Sequence, residues 1–232
     1  MHGEEFPASL NARYTLDVVL PRNLSPMRLS RRPKPFDSDD YVFELKIDGF
    51  RSLAYVENGK CDLVSRNGNT FRNFKDLAQW IGGNLRIESA VLDGEIACVD
   101  DAGRSVFNDL LFRRRECVFF AFDLLFLNGD DLRGLPLIER KARLKRLLLR
   151  RKRSRVLYVD HIEVRGREFF EKVCNMDLEG IVAKRRQSQY RATEKPSPLW
   201  VKIKNPRYSQ AEGRDELFNP KPAEVEALNV TK

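Results

Sequence analysis

The chain has 232 residues, a hydrophobic fraction of 42% and a net charge of +8. That length suits one large domain or a domain with a small appendage, and that hydrophobic content supplies a packed core, which excludes wholesale disorder. The longest apolar stretches, such as residues 118–122, are far too short to cross a bilayer, and the acidic start Met1-His2-Gly3-Glu4-Glu5-Phe6 lacks the apolar run of a signal peptide. Residues 1–30 show no clear period and read as an N-terminal extension of unknown role, followed by Arg31-Arg32-Pro33-Lys34-Pro35 as an extended linker. Alternation then begins. Over residues 41–47, Phe43, Leu45 and Ile47 share one strand face while Val42, Glu44 and Lys46 share the other. Strands follow at 51–56 and 61–66, joined by the hairpin turn Glu57-Asn58-Gly59-Lys60.

Residues 73–85 are predicted as a helix ending near Gly82-Gly83, and 90–99 and 117–127 as strands, the second apolar enough to be buried on both faces. Pro136 opens a helix at a position where proline is tolerated, and Leu137, Leu144 and Leu148, with Leu147, give it an apolar stripe. A strand at 155–160, a helix at 166–176 and strands at 181–184 and 199–204 complete the pattern. The expected organisation is a 1–30 extension, a 31–208 domain and a polar 209–232 tail. Mixed order with many hairpins reads as α+β rather than a doubly wound sheet.

Cys61, Cys98, Cys117 and Cys174 are scattered, with only His2 and His161 as helpers. Neither a zinc site nor a disulfide framework is expected, and a reducing cytoplasm suits the chain. The charge is concentrated. Between Arg133 and Arg155, eleven Lys/Arg and one acid carry a net of +10, which leaves the rest of the chain at −2. One basic element therefore sits on a nearly neutral body, as a nucleic-acid contact or as a solvated helix face.

Lys46-Ile47-Asp48-Gly49 lies at a strand end, where a lysine that sheds its proton can act as a covalent nucleophile. Asp48-Gly49 alone is also a turn sequence. Ser65-Arg66-Asn67-Gly68 ends the next hairpin, Asp93-Gly94-Glu95 sits in a later strand, and Glu179-Gly180-Ile181-Val182 starts another. In Trp200-Val201-Lys202-Ile203-Lys204, alternation puts both lysines on one face. Two lysines facing a common cleft are unfavourable unless an anion lies between them, and phosphate serves.

In this order the set resembles the covalent nucleotidyltransferase superfamily of ATP-dependent DNA ligases, RNA ligases and mRNA capping enzymes. Those families carry K-x-D-G, S-R-x-G, D-G-E, F-D, E-G-[IV] and [WL]-x-K-x-K, matched here by Lys46 to Gly49, Ser65 to Gly68, Asp93 to Glu95, Phe122-Asp123, Glu179 to Val182 and Trp200 to Lys204. Phe122-Asp123-Leu124-Leu125, Asn128-Gly129, Asp131-Leu132-Arg133, Leu135-Pro136-Leu137 and Glu139-Arg140-Lys141, with Ser188 and Tyr190, look like bacterial and archaeal ATP-dependent DNA ligases. The ligase module of bacterial end-joining enzymes is especially similar.

The resemblance implies the ligase adenylation-domain fold: antiparallel sheets flanked by helices, with the nucleotide cleft between them. It implies that Lys46 attacks the α-phosphate of ATP to form lysyl-AMP, that AMP passes to the 5′-phosphate of a DNA nick, and that the 3′-OH seals it. Lys202 and Lys204 would bind the α-phosphate and favour the neutral amine of Lys46 by repulsion. Glu179 would hold Mg²⁺. Phe122 would stack on adenine, Glu44 would meet the adenine edge, Glu95 would bind ribose, and Arg51 and Arg66 would contact the nucleotide, Arg66 also the nick phosphate. Arg140, Arg146, Arg150 and Arg153 of the basic helix would track the DNA backbone. Nicked double-stranded DNA is the implied partner of a monomer in a bacterial cytoplasm, at the nucleoid.

Two departures stand out. Such ligases continue into an OB-fold domain, and only 28 residues follow Lys204, too few for a five-stranded barrel. The OB-fold is therefore expected to be absent, and a separate OB-fold or end-joining protein becomes an expected helper. Relatives often carry a glycine and an arginine before the tryptophan, whereas this chain has Lys195-Pro196-Ser197-Pro198, which leaves open whether Lys195 takes over that contact. RNA-ligase-type adenylyl transfer and a non-catalytic nick- or end-binding module are the alternative readings.

Overall fold

The computed structural model describes residues 19–101, 104–112, 114–148 and 154–211. The strands are β1 (Leu29–Arg31), β2 (Ser38–Leu45), β3 (Phe50–Glu57), β4 (Lys60–Ser65), β5 (Ser89–Cys98), β6 (Cys117–Leu127), β7 (Asp130–Asp131), β8 (Val156–Tyr158), β9 (His161–Val164), β10 (Gly180–Arg185) and β11 (Ser197–Lys204). The helices are α1 (Lys75–Asn84), α2 (Phe107–Phe112), α3 (Leu137–Leu148) and α4 (Gly166–Asn175). One sheet runs β1-β11-β10-β2-β9 and the other β4-β3-β5-β6-β7, with β8 also paired to β6. Every pairing is antiparallel except β1 with β11 and β6 with β8. This is the α+β arrangement that the hairpin-rich sequence predicts.

Strand alternation decides which side chains meet the cleft. On β2, Phe43 packs with Ile181, Ala183, Ile203 and Val173 under α4, while Val42 turns the other way, towards Leu53, Phe122, Phe126 and Trp200 between the sheets. Leu77 and Ile81 of α1 and Leu144 and Leu148 of α3 cover the outer face of the second sheet, against Val56, Leu92 and Phe119. The strands on either side of the cleft are thus braced from outside, one sheet by α4 and the other by α1 and α3. Among the described residues no helix is long and apolar enough to cross a membrane.

The structure departs from the sequence reading at the chain's edges. β1 crosses the boundary expected at 30/31, and Leu20 and Met27, assigned to an extension, are buried. Backbone hydrogen bonds hold this segment, Met27 N to the Tyr190 hydroxyl at 3.1 Å and Ser197 N to Arg28 O at 2.8 Å, so it needs no apolar period. Residues 209–211, assigned to the tail, dock as a short turn, with Ser209 N bonded to Asp177 Oδ1 at 2.9 Å and Gln210 Oε1 accepting from Phe107 N at 3.0 Å. Cys98 and Cys117, far apart in sequence, are free thiols at facing positions of β5 and β6, with Sγ atoms 2.7 Å apart.

Candidate active site

Lys46 directly follows β2, and its backbone N–H donates to Gly180 O at 2.9 Å. Gly180 has φ +140°, and a Cβ there would lie 2.2 Å from Ile203 O, so only glycine lets β10 begin this close to β11. That start places Glu179, almost fully buried, with Oε2 2.6 Å from Lys46 Nζ and Oε1 3.6 Å from Lys204 Nζ. The next two motif positions are structural. Asp48 is buried and accepts from the Tyr208 hydroxyl at 2.7 Å. A Cβ on Gly49 would sit 2.1 Å from Ile96 O, so this position also demands glycine.

Two cavities meet at Lys46. The inner one, about 40 Å³, is lined by Glu44, Lys46, Arg51, Glu95, Phe122 and Lys184, backed by Trp200. Asp93 holds Arg51 through two 2.6 Å hydrogen bonds, Nε to Oδ1 and Nη2 to Oδ2, and the Tyr190 hydroxyl donates to Asp93 Oδ2 at 2.7 Å. The Arg51 guanidinium lies 4.5 Å from the Phe122 ring centroid, and Lys184 Nζ lies 4.1 Å from the centroids of both Phe122 and Trp200. Glu44 pairs at 2.6 Å with both Lys141 and Lys184. Burial pushes the Glu44 carboxyl up, but the two lysines outweigh it and hold it below its ordinary value. Lys184, sharing that carboxylate with Lys141, is lowered by burial to about 8.

Glu95 is pushed up to about 7 by burial, against the pull of Lys46 and Arg51. Folding therefore favours protonated Glu95. Its contribution to stability is full below the ordinary value of 4.5 and is lost as pH rises to about 7. Glu95→Gln should flatten the fall in stability across that window, measured as urea midpoint against pH. A variant that falls as steeply as wild type refutes the assignment.

The outer cavity, about 460 Å³, shares Lys46, Arg51 and Glu95 with the inner one and adds Arg28, Arg66 and Lys202. Arg66 is exposed on the turn after β4, where Gly68 N donates to Ser65 O at 2.9 Å. Lys202 is lowered by burial and by its neighbours Lys204 and Lys46. Pro196 lines this cavity, and Lys195, the candidate substitute, is not among its lining residues. Arg28 and Lys184 are the lining cations that the motifs leave out.

The basic helix requires a correction. Arg140, expected on DNA, is fully buried, with Nε and Nη2 each 2.8 Å from the Asp123 carboxylate, and Lys141 beside it is buried on Glu44. A guanidinium with no exposed surface and a satisfied carboxylate partner does not reach a phosphate. On the outer face Arg143 and Lys145 pair with Asp130 and Asp160, whereas Arg146 is exposed and makes no ion pair among the described residues. Arg150 and Arg153 lie outside the described residues. No cluster of three or more His, Cys, Asp or Glu suited to a metal ion occurs among the described residues.

Residues 28–204 match the family described as ATP dependent DNA ligase domain. The multifunctional non-homologous end joining protein LigD of Pseudomonas aeruginosa is 32% identical over 171 residues, which is 71% of this chain and 20% of that protein. The crystal structure of the ligase domain from M. tuberculosis LigD is similar with a TM-score of 0.70 and 28% identity, covering 78% of this chain and 59% of that one. A mycobacterial DNA ligase D complexed with ATP and MES is similar with a TM-score of 0.66 and 28% identity, covering 78% and 60%. This chain thus spans about a fifth of the full end-joining protein and about three fifths of each solved ligase chain.

Proposed function

The chain belongs to the ATP dependent DNA ligase domain family, and from that premise we propose that Lys46 carries AMP from ATP to the 5′-phosphate of a DNA nick. The observation that carries this reading is the place of Lys46 on the shared edge of the inner and outer cavities, 2.6 Å from Glu179. Adenosine takes the inner cavity and the phosphates the outer one. Arg51 and Lys184 lie 4.5 and 4.1 Å from the Phe122 ring centroid, so adenine stacks there by taking the place of one of these cations on the ring. Adenine then stacks on Phe122 with Glu44 at its edge, and Glu95 accepts from ribose.

Lys46 loses a proton before it attacks, and Glu179 Oε2 is placed to receive it. The Lys46 Nζ–Pα bond forms as the bond from Pα to the bridging oxygen breaks, and pyrophosphate leaves. A 5′-phosphate oxygen then displaces Lys46 from AMP, and the 3′-OH displaces AMP to close the strand. Lys202 and Lys204 balance charge on the transferred phosphate. Glu179 would hold Mg²⁺. That ion is commonly bound by one carboxylate with phosphate oxygens and waters, and Glu179 already faces two cations at 2.6 and 3.6 Å. When bound, it supplies charge neutralisation at the phosphates.

The test is incubation with α-labelled ATP or GTP and Mg²⁺, then with nicked duplexes of DNA or RNA strands. Label retained from ATP only, with sealing of the DNA nick, is the expected result. No label, or sealing confined to RNA, overturns the reading. Nicked DNA, and a separate OB-fold or end-joining protein, are the partners proposed. For the basic helix, Arg146→Glu should lower nicked-DNA affinity and flatten its salt dependence by roughly one to two in slope. Identical salt plots for variant and wild type would leave α3 a solvated face.

A further inference from the structure

The outer cavity continues outward. It shares Arg28, Arg66 and Asn67 with a neighbouring cavity of about 570 Å³ that reaches Arg22, Leu24 and Tyr55. The two form one groove from Lys46 across the Arg28 and Arg66 side chains to the surface of the second sheet. Three of the six cations along it are already neutralised: Lys46 by Glu179, Arg51 by Asp93, and Arg22 by Glu57 and Asp62. Lys202, beside Lys46, and the two arginines further out, Arg28 and Arg66, are not, among the described residues. Arg28 Nη1 donates to the neutral carbonyl of Glu194 at 2.8 Å, and neither guanidinium has a carboxylate partner among the described residues. Gathering unneutralised guanidinium groups around one groove is unfavourable until an anion bridges them.

Arg28 is also held in place. Its carbonyl accepts from Ser197 N at 2.8 Å, and Met27 beside it is buried with its N–H on the Tyr190 hydroxyl. The guanidinium is therefore presented from a fixed backbone, beside the loop that carries Pro196 where the resemblance expects an arginine. We propose that Arg28 and Arg66 clamp the phosphodiester chain of the strand that presents its 5′-phosphate to Lys46. A triphosphate extends only two phosphates beyond the atom that Lys46 attacks, whereas the groove continues from Arg28 and Arg66 through a second cavity of about 570 Å³ to Arg22 and Tyr55, as a strand does. The clamp rests on the ligase reading for its substrate, and Arg28 is its new member.

The experiment compares wild type, Arg28→Ala and Arg28→Lys on a nicked duplex bearing a 5′-phosphate, by anisotropy over a salt series, with labelling by ATP read alongside. Arg28 is exposed, and a thermal melt checks that each variant is folded. Arg28→Ala should lose about tenfold in affinity and about one unit of salt slope, and Arg28→Lys should recover part of both. Unchanged affinity and slope overturn the clamp. So does a loss of labelling as large as the loss of DNA affinity, which would move Arg28 to the triphosphate. A wild-type protein that binds the nick but takes no label defeats the ligase reading, while the clamp is still decided by the Arg28→Ala affinity; one that binds no nick defeats both.

Discussion

Lys46→Ala should retain no label from α-labelled ATP under denaturing conditions, a loss on the order of a thousandfold or more. The argument is geometric. A covalent phosphoramidate needs an amine that touches both the nucleoside and phosphate compartments. Lys184 and Lys202 each line only one, Lys184 beneath Glu44 and two aromatic rings and Lys202 in the outer cavity. Among the lysines of the described residues, only Lys46 borders both. The variant should still fold, because Glu179 keeps Lys204 within 3.6 Å and Lys46 contributes no apolar core surface. Lys46→Arg separates charge from chemistry: it retains the cation beside Glu179 and should be equally unlabelled. Intact-protein mass after incubation with ATP reads the result, one added AMP for wild type and none for either variant. A folded Lys46→Ala protein that gains AMP would move the nucleophile to another lysine.

The Lys46 and Glu179 motifs are legible because each compresses a tight backbone demand into adjacent letters. Gly49 and Gly180 stand where a Cβ would strike a neighbouring carbonyl, and Lys46 and Glu179 are fixed by those turns. Alternation likewise puts Glu44 on the face of Lys46, and both line the inner cavity. What alternation does not encode is who sits opposite. Asp93 as the partner of Arg51 and Glu44 as the partner of Lys141 and Lys184 depend on pairings across the two sheets and α3. β1 was invisible for another reason. Three residues joined by backbone hydrogen bonds carry no periodic signal, so in the sequence Arg28 is indistinguishable from an extension. The Cys98 and Cys117 pair was hidden by the chain between β5 and β6.

Arg140 carries a sequence signal of its burial. Leu137, Arg140, Leu144 and Leu148 are spaced three or four residues apart, so Arg140 occupies the apolar stripe of α3 rather than its basic face. Arg140→Met should therefore destabilise the fold by about 3–5 kcal/mol, the usual effect of removing one partner from a buried ion pair. The loss has several parts. Asp123 is left with only the Leu124 N–H at 2.8 Å, and the carbonyls of Leu135 and Ser188 lose donors at 2.5 and 3.0 Å. These contacts tie β6 to the start of α3 and to the loop before Tyr190, so the damage spreads beyond one element. Pairing Arg140→Met with Asp123→Leu removes the orphaned carboxylate and should recover part of the loss, though not the part owed to the two carbonyls. Urea unfolding of wild type, the single variant and the double variant measures all three. At temperatures where Arg140→Met is folded, its affinity for nicked DNA should keep the wild-type salt slope, since a side chain with no exposed surface releases no counterions. A stable Arg140→Met protein with a shallower slope would return this arginine to the DNA face.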